Sequence, residues 1–394
     1  MQRPGHEGAR GDGMGPLSGI RILELGGIGP GPFAAMLLAD LGATVLRLCR
    51  NDEARPGLRR PPHLDLVMRG RRSLVVDLKD PAGIDLALRL IEGCNGSIEG
   101  FRPGVAEKMG IGPEAALARN PRLVYGRVTG YGQDGPLARA AGHDINYIAL
   151  TGALDAIGAA DAKPTVPLNL LGDYAGGSLY LVIGMLSAML EARTSGKGQV
   201  VDAAIVDGTA SLMTMFYGLR LTDFHDRPRG ENLLDGGSAI YNVYECRDGR
   251  FITIGPIERR FRATLFDLIG LDPVETDGPA LREQLAALFK TREQAEWTAL
   301  LEGTDACFAP VLSMADAPRH PHNAARGTFV SPGGVDQPAP APRFSRTPAG
   351  TPSPPERPGA GGRAALREWG LDDTEIVALA ARGTISLGDE IDND

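Results

Sequence analysis

Ile20-Arg21-Ile22-Leu23-Glu24-Leu25-Gly26-Gly27-Ile28-Gly29-Pro30-Gly31-Pro32 is an apolar run that stops abruptly in glycines and prolines. Phe33-Ala34-Ala35-Met36-Leu37-Leu38-Ala39-Asp40-Leu41-Gly42 follows with helical spacing and a closing glycine, and Ala43-Thr44-Val45-Leu46-Arg47-Leu48 is apolar again. Strand, glycine-rich turn, helix and strand make a right-handed βαβ unit, whose expected product is a parallel sheet. The loop lacks the G-x-G-x-x-G order, and two of its positions are prolines, which have no N–H to offer a pyrophosphate. It reads instead as a tight turn that lets a substrate or a neighbouring subunit approach the backbone closely.

Outward from this unit the same style continues. Ser73-Leu74-Val75-Val76-Asp77-Leu78 is a strand, Asp80-Pro81 opens a helix to about residue 92 with an acceptor at N-cap and proline at N1, and Gly96-Ser97-Ile98-Glu99 is a strand. A helix at 113–119 and a strand at 123–128 lead into Thr129-Gly130-Tyr131-Gly132-Gln133-Asp134-Gly135-Pro136. That loop lies outside the carboxyl end of a parallel strand, where such folds bind ligands. Later come a long apolar helix at 176–193, a strand at 200–205 and a second apolar helix at 207–221. After a polar crossover, Tyr241-Asn242-Val243-Tyr244-Glu245-Cys246 alternates, and Arg247-Asp248-Gly249-Arg250 turns it into a hairpin.

The fold class expected is α/β, with a Rossmann-like parallel sheet in a large domain and a small α+β domain beside it. The boundaries are a disordered tail at 1–15, the large domain at 16–205, a linker helix and crossover at 206–240 and the small domain at 241–330. A Pro/Gly-rich linker at 331–362, its last part disordered, and a C-terminal segment at 363–394 that returns to the large domain complete the chain.

Composition excludes several function classes. The 394 residues carry a net charge of −8 without a dominant basic face, which gives no reason to expect nucleic acid. No apolar run reaches the roughly 18 residues of a membrane span, and the N-terminus has no apolar signal region, so a cytoplasmic protein is expected. Cys49, Cys94, Cys246 and Cys307 show neither metal-ligand nor disulfide spacing and read as buried thiols.

Chemistry concentrates in Gly142-His143-Asp144-Ile145-Asn146-Tyr147 and in Asn169-Leu170-Leu171-Gly172-Asp173-Tyr174-Ala175-Gly176-Gly177. His143 follows a glycine loop and precedes a helix-like run, which suits a base or a site for developing negative charge; a capping or core histidine fits the same pattern. Asp144 serves equally as a first-turn acid. Asp173 reads either as the N-cap of the long helix or as a carboxylate facing substrate through small neighbours. Glu258, where a strand becomes a helix, is a first-turn acid or a carboxylate that orients a histidine, whereas Glu99 and Glu245 read as structural. Arg50, Arg69, Arg71, Arg72 and Arg102 lie at strand ends or in loops; such a spread reads mostly as solvated surface, though converging there they could grip phosphates.

Taken together, Leu17-Ser18-Gly19-Ile20-Arg21-Ile22-Leu23-Glu24-Leu25, Ala39-Asp40-Leu41-Gly42-Ala43, Ile98-Glu99-Gly100-Phe101-Arg102-Pro103-Gly104-Val105, Gly142-His143-Asp144 and Ser195-Gly196-Lys197-Gly198-Gln199 resemble the family III CoA-transferases, and within them the α-methylacyl-CoA racemases. Transferases of this family use the aspartate matching Asp173 as a nucleophile, while racemases keep it and add the His-Asp pair and the glutamate matching Glu258. The resemblance implies 1,1-proton transfer on a 2-methylacyl-CoA by His143 and Asp173 through an enolate, stabilised by backbone N–H groups near Asp144. Transfer through an acyl anhydride on Asp173 is the alternative. It further implies no cofactor and no metal, CoA held by Arg50, Val76, Leu78 and Arg102, and an interlocked homodimer in which Glu258 serves the histidine of the other chain. The irregular stretch 51–62, with Arg55, Arg59 and Arg60, departs from the family pattern.

Overall fold

The computed structural model describes residues 14–50, 60–272 and 277–387. All but the last two residues of the expected tail, and most of the irregular 51–62 stretch with Arg55 and Arg59, lie outside them. Two compact units divide the chain. One holds residues up to Ile148, Leu168–Ser211 and everything from Ala325; the other holds Ala149–Pro167 and Leu212–Ala324.

The first unit is built on strands β1 (Arg21–Leu25), β2 (Thr44–Cys49), β3 (Arg72–Val76), β4 (Gly96–Glu99), β5 (Val124–Thr129) and β6 (Gln199–Ala204). They pair in the order β3-β2-β1-β4-β5-β6, all parallel. The order reverses between β1 and β4, and the crevice outside the carboxyl ends of those strands is where doubly wound sheets bind ligands. Successive residues of a strand face opposite sides, and the core separates accordingly. Leu23, Leu46 and Tyr125 pack with Leu86, Leu90 and Leu366 on one face, while Ile22, Val45 and Val124 pack with Ala34, Leu38, Leu181 and Met185 on the other.

The sequence predicts a parallel sheet, and the sheet is mixed. Ile385–Ser386 near the C-terminus pairs antiparallel with β3 and closes that edge. Residues 351–362, expected to lack order, lie against the same edge: Gly70 N–H donates to the Ser353 carbonyl at 3.0 Å and Gly359 N–H to Ser73 Oγ at 2.9 Å. The long apolar helix differs as well. Its helical path begins in π-helical turns at Leu170–Leu179 and continues as the α-helix Tyr180–Ser195. This path is long and apolar enough to cross a membrane, and it is packed on the sheet through Leu181, Val182, Met185 and Ala188.

In the second unit β7 (Asn242–Glu245), β8 (Phe251–Ile254) and β9 (Phe308–Pro310) form an antiparallel sheet. The predicted hairpin is present, with Gly249 at φ 75° in the turn, a conformation that suits glycine. Helices Arg259–Ile269, Pro279–Phe289 and Gln294–Leu301 cover the sheet around buried Trp297, Phe289 and Phe266. The unit takes in Ala149–Pro167 and runs from Leu212 to Ala324, where the sequence suggested 241–330. Arg229 donates to the Asp155 and Ala162 carbonyls, and Asn232 is folded onto Arg227, Pro228 and Asp235, so the polar crossover is ordered. Two of the four cysteines depart from expectation, since Cys307 is exposed and Cys49 half-buried.

Candidate active site

The glycine loop after β1 is held from beneath by a buried ion network. Glu24, 1 % exposed within β1, accepts from Arg47 at 3.1 Å and from Arg71. Arg47 also donates to the Gly27 carbonyl and Arg71 to the Pro32 carbonyl, both at 3.1 Å, so the two arginines pin both ends of the loop. Arg69 forms a fork with Asp40 and reaches Gln337 and the Pro338 carbonyl, while Arg72 pairs with Glu368 at 2.6 Å. This corrects the reading of Arg69, Arg71 and Arg72 as phosphate ligands. A guanidinium buried in the fold must be matched by the fold's own acceptors, as Arg69 is by Asp40 and Arg71 by Glu24, while the half-buried Arg72 is held by Glu368.

Arg50 and Arg102 remain exposed, one residue past β2 and three residues past β4. Val76 ends β3 and Leu78 follows two residues later, so all four positions lie at the carboxyl edge of the sheet. Leu78 is half-buried, whereas the Val76 side chain is 1 % exposed within the core, which leaves only its backbone to offer a ligand.

Asp173 is not a helix N-cap. It sits inside the π-helical turns, a geometry that departs from the α-helix and recurs at functional sites. Its carboxylate lies against the start of the Pro30–Asp40 helix, where a Cβ built on Gly29 would be 3.2 Å from Asp173 Oδ2. Gly29 has φ 68° and ψ −120°, a region closed to residues with side chains, so glycine is required both for the turn and for the approach. Asn169 Nδ2 donates to Asp173 Oδ2 at 3.3 Å, and the buried Ser178 hydroxyl donates to the Asp173 carbonyl at 3.0 Å. Next to it Tyr174 stacks on Phe33, ring centroids 4.1 Å apart. Gly29→Ala is expected to fold and to lose about tenfold or more of the activity that depends on Asp173, because the strain of about 1–3 kcal/mol is relieved only by moving the loop. A thermal melt beside an activity assay checks this; wild-type activity would remove Gly29 from the site.

His143 is exposed and leads into the helix Asp144–Ala149. Its own N–H donates to Asn146 Oδ1 at 3.0 Å and is therefore not free to meet an enolate oxygen. Asp144, 7 % exposed, accepts the Asp173 N–H at 2.7 Å. Burial pushes the Asp173 carboxyl above the usual carboxylate range; the Asn169 amide opposes this, the Asp144 charge adds to it and the His143 charge opposes it. His143, Asp144 and Asp173 all lie in the first unit, and the Asp173 backbone is bonded to the residue after His143. Glu258 is in the other unit, exposed, at the N-cap of the Arg259–Ile269 helix and with no side-chain cap bond.

Two participants were not singled out by sequence reasoning. Asn169 is one. Tyr147 is the other: its ring fills the space beside Gly130 and Gly142, where a Cβ would come within 2.0 and 2.7 Å of it, its hydroxyl donates to the Gly142 carbonyl, and it meets Tyr131 edge-on at 4.9 Å. Its phenol is pushed up to about 12 by burial and by the negative charge of Asp173, with Arg102 acting the other way. The pairing of one aromatic with two glycines in the flanking loops was the available signal. Among the described residues no cluster of three His, Cys, Asp or Glu side chains is arranged to hold a metal.

Residues 17–363 match the family profile described as CoA-transferase family III. The chain is 42% identical over 373 residues to "Alpha-methylacyl-CoA racemase" of Homo sapiens and 40% identical over 373 residues to that of Mus musculus. Each comparison covers 92% of this chain and 96% of the relative. Among solved structures, a CAIB/BAIF family protein from Brucella suis superposes with a TM-score of 0.78 at 27% identity, covering 90% of this chain and all of that one.

Proposed function

Because the chain belongs to CoA-transferase family III, with racemases among its similar relatives, we propose that it interconverts (2R)- and (2S)-2-methylacyl-CoA thioesters by 1,1-proton transfer. The observation that carries this reading is the bond from the Asp173 N–H to Asp144, the residue after His143, which joins the segments bearing two proton-transfer side chains beside the Gly29 turn that the Asp173 carboxylate approaches. One of them removes the α-proton and leaves a planar enolate; the other returns a proton to the opposite face. Water around an exposed His143 would reprotonate it between turnovers. The enolate oxygen needs a preorganised donor, and the Asp144 N–H, next along from the occupied His143 N–H, is the group assigned to it.

On this reading CoA is part of the substrate and no separate cofactor takes part. Arg50 and Arg102 meet its phosphates from the carboxyl edge of the sheet, with Val76 and Leu78 beside them. The enzyme works as a cytoplasmic homodimer, and Glu258 fixes the tautomer of the histidine it orients.

The second reading, CoA transfer, uses the same Asp173 as a nucleophile that forms an anhydride with the acyl group. Incubating the protein with a lone 2-methylacyl-CoA in deuterated water separates the two. Racemase action exchanges the α-proton for deuterium without any acceptor acid. Transfer of CoA to an added carboxylate, trapping by hydroxylamine and no exchange would replace the proposal with the transferase. CoA binding with neither behaviour would leave a binding protein.

A further inference from the structure

The Asp144 carboxylate has one oxygen bonded to another part of the chain and one with no partner. Oδ1 accepts the N–H of Asp173, 29 residues away, at 2.7 Å. Oδ2 is buried and finds no donor. The approach is built into the sequence of the π-helical turns, since a Cβ on Gly172 would stand 2.4 Å from Asp144 Oδ1 and 2.9 Å from Asp144 Cγ. An acid that merely favoured the dipole of its own short helix would face water; this side chain is turned inward.

We propose that Asp144 is a positioning residue that fastens the turn carrying Asp173 to the residue after His143 and sets a second buried negative charge beside Asp173. The proposal rests on the racemase reading for its catalytic meaning, though its electrostatic half stands without it. A backbone N–H held by a carboxylate is a strong, short-range tether, so this one bond ties the turn that carries Asp173 to the segment that carries His143. The second charge makes it harder for Asp173 to lose its proton, which raises it as a base toward the affinity needed to take a proton from carbon.

The groups around Asp173 are few. His143 and Tyr147 interact with its charge, and Arg102 reaches the cluster through Tyr147. Gly29, Pro30 and Phe33, at the start of the helix packed on the π-helical turns, do not titrate. Farther along the packed elements are Tyr180, whose hydroxyl donates to Ser211 Oγ at 2.7 Å, and Asp202, which accepts the Gln133 N–H at 3.1 Å.

The test compares Asp144→Asn with Asp144→Ala. Asparagine keeps the acceptor and removes the charge; alanine removes both. The titration of the Asp173 carboxyl is followed by carbon-13 NMR on aspartate-labelled protein, assigned by difference with Asp173→Asn. The Asp173 midpoint is expected to fall by about half a unit or more in Asp144→Asn. Racemisation is expected to fall about a hundredfold in Asp144→Ala and about tenfold or less in Asp144→Asn, whose pH profile moves to lower pH. An unmoved midpoint together with equal losses in the two variants would mean that Asp144 only supports the fold, and would overturn the proposal. The NMR shift does not require turnover, so a wild type that fails to racemise would overturn the racemase reading while the charge coupling is still measured.

Discussion

Asp173→Ala is expected to lose racemisation by about a thousandfold, yet to go on exchanging the α-proton of one enantiomer. The reason is geometric. If His143 and Asp173 face opposite sides of a planar enolate, removal of Asp173 leaves a base that both takes and returns the proton on a single face. While the proton resides on the exposed imidazole it swaps with solvent, so deuterium enters without inversion. His143→Ala should give the mirror image, retaining exchange only for the other enantiomer. Deuterium content by mass spectrometry and enantiomer ratio by chiral chromatography, followed from each pure enantiomer, check both variants. Equal exchange of both enantiomers by Asp173→Ala would rule out the two-base scheme. The fold should tolerate the change, because the bond from the Asp173 backbone N–H to Asp144 does not use the Asp173 side chain.

Glu24→Ala is expected to destabilise the first unit by about 3–5 kcal/mol. Arg71 is almost wholly buried and Arg47 mostly so, and Glu24 is the carboxylate that matches both. Removing it strands two guanidiniums in a medium that cannot solvate them. The thermal midpoint should fall by roughly 10 °C, with Glu24→Gln losing less because it keeps one acceptor. Activity should fall with it, since the same arginines hold the Gly27 and Pro32 carbonyls on either side of Gly29. A midpoint within a degree or so of wild type would show that the arginines find other partners.

What could be read from the sequence depended on whether the signal was local. The β1, glycine loop, helix and β2 order was legible because apolar runs, glycines and helical spacing follow one another within thirty residues. His143 and Asp173 were legible as chemistry because small residues surround them. The charge of Arg69, Arg71 and Arg72 was visible too, but the acceptors that consume it were not, since Asp40, Gln337 and Glu24 lie 29, 268 and 47 residues away. Asp173 looked like an N-cap because nothing in Leu170-Leu171-Gly172-Asp173 announces that the preceding turns are already helical. The edge strand Ile385–Ser386 is two residues long, too short to carry any alternation.

The order in which the two units are threaded has a consequence for biosynthesis. The first unit is assembled from three stretches, the last beginning at Ala325, whereas most of the second is a single run from Leu212 to Ala324. On the ribosome that run emerges complete while β3 still has a bare edge awaiting Ile385 and Ser386. The first unit is therefore the last to mature, with its slow steps set by contacts of very high sequence separation, Val76 with Ile385 among them. A stalled or C-terminally truncated chain would present that unpaired edge to its neighbours, the condition under which nascent sheets aggregate.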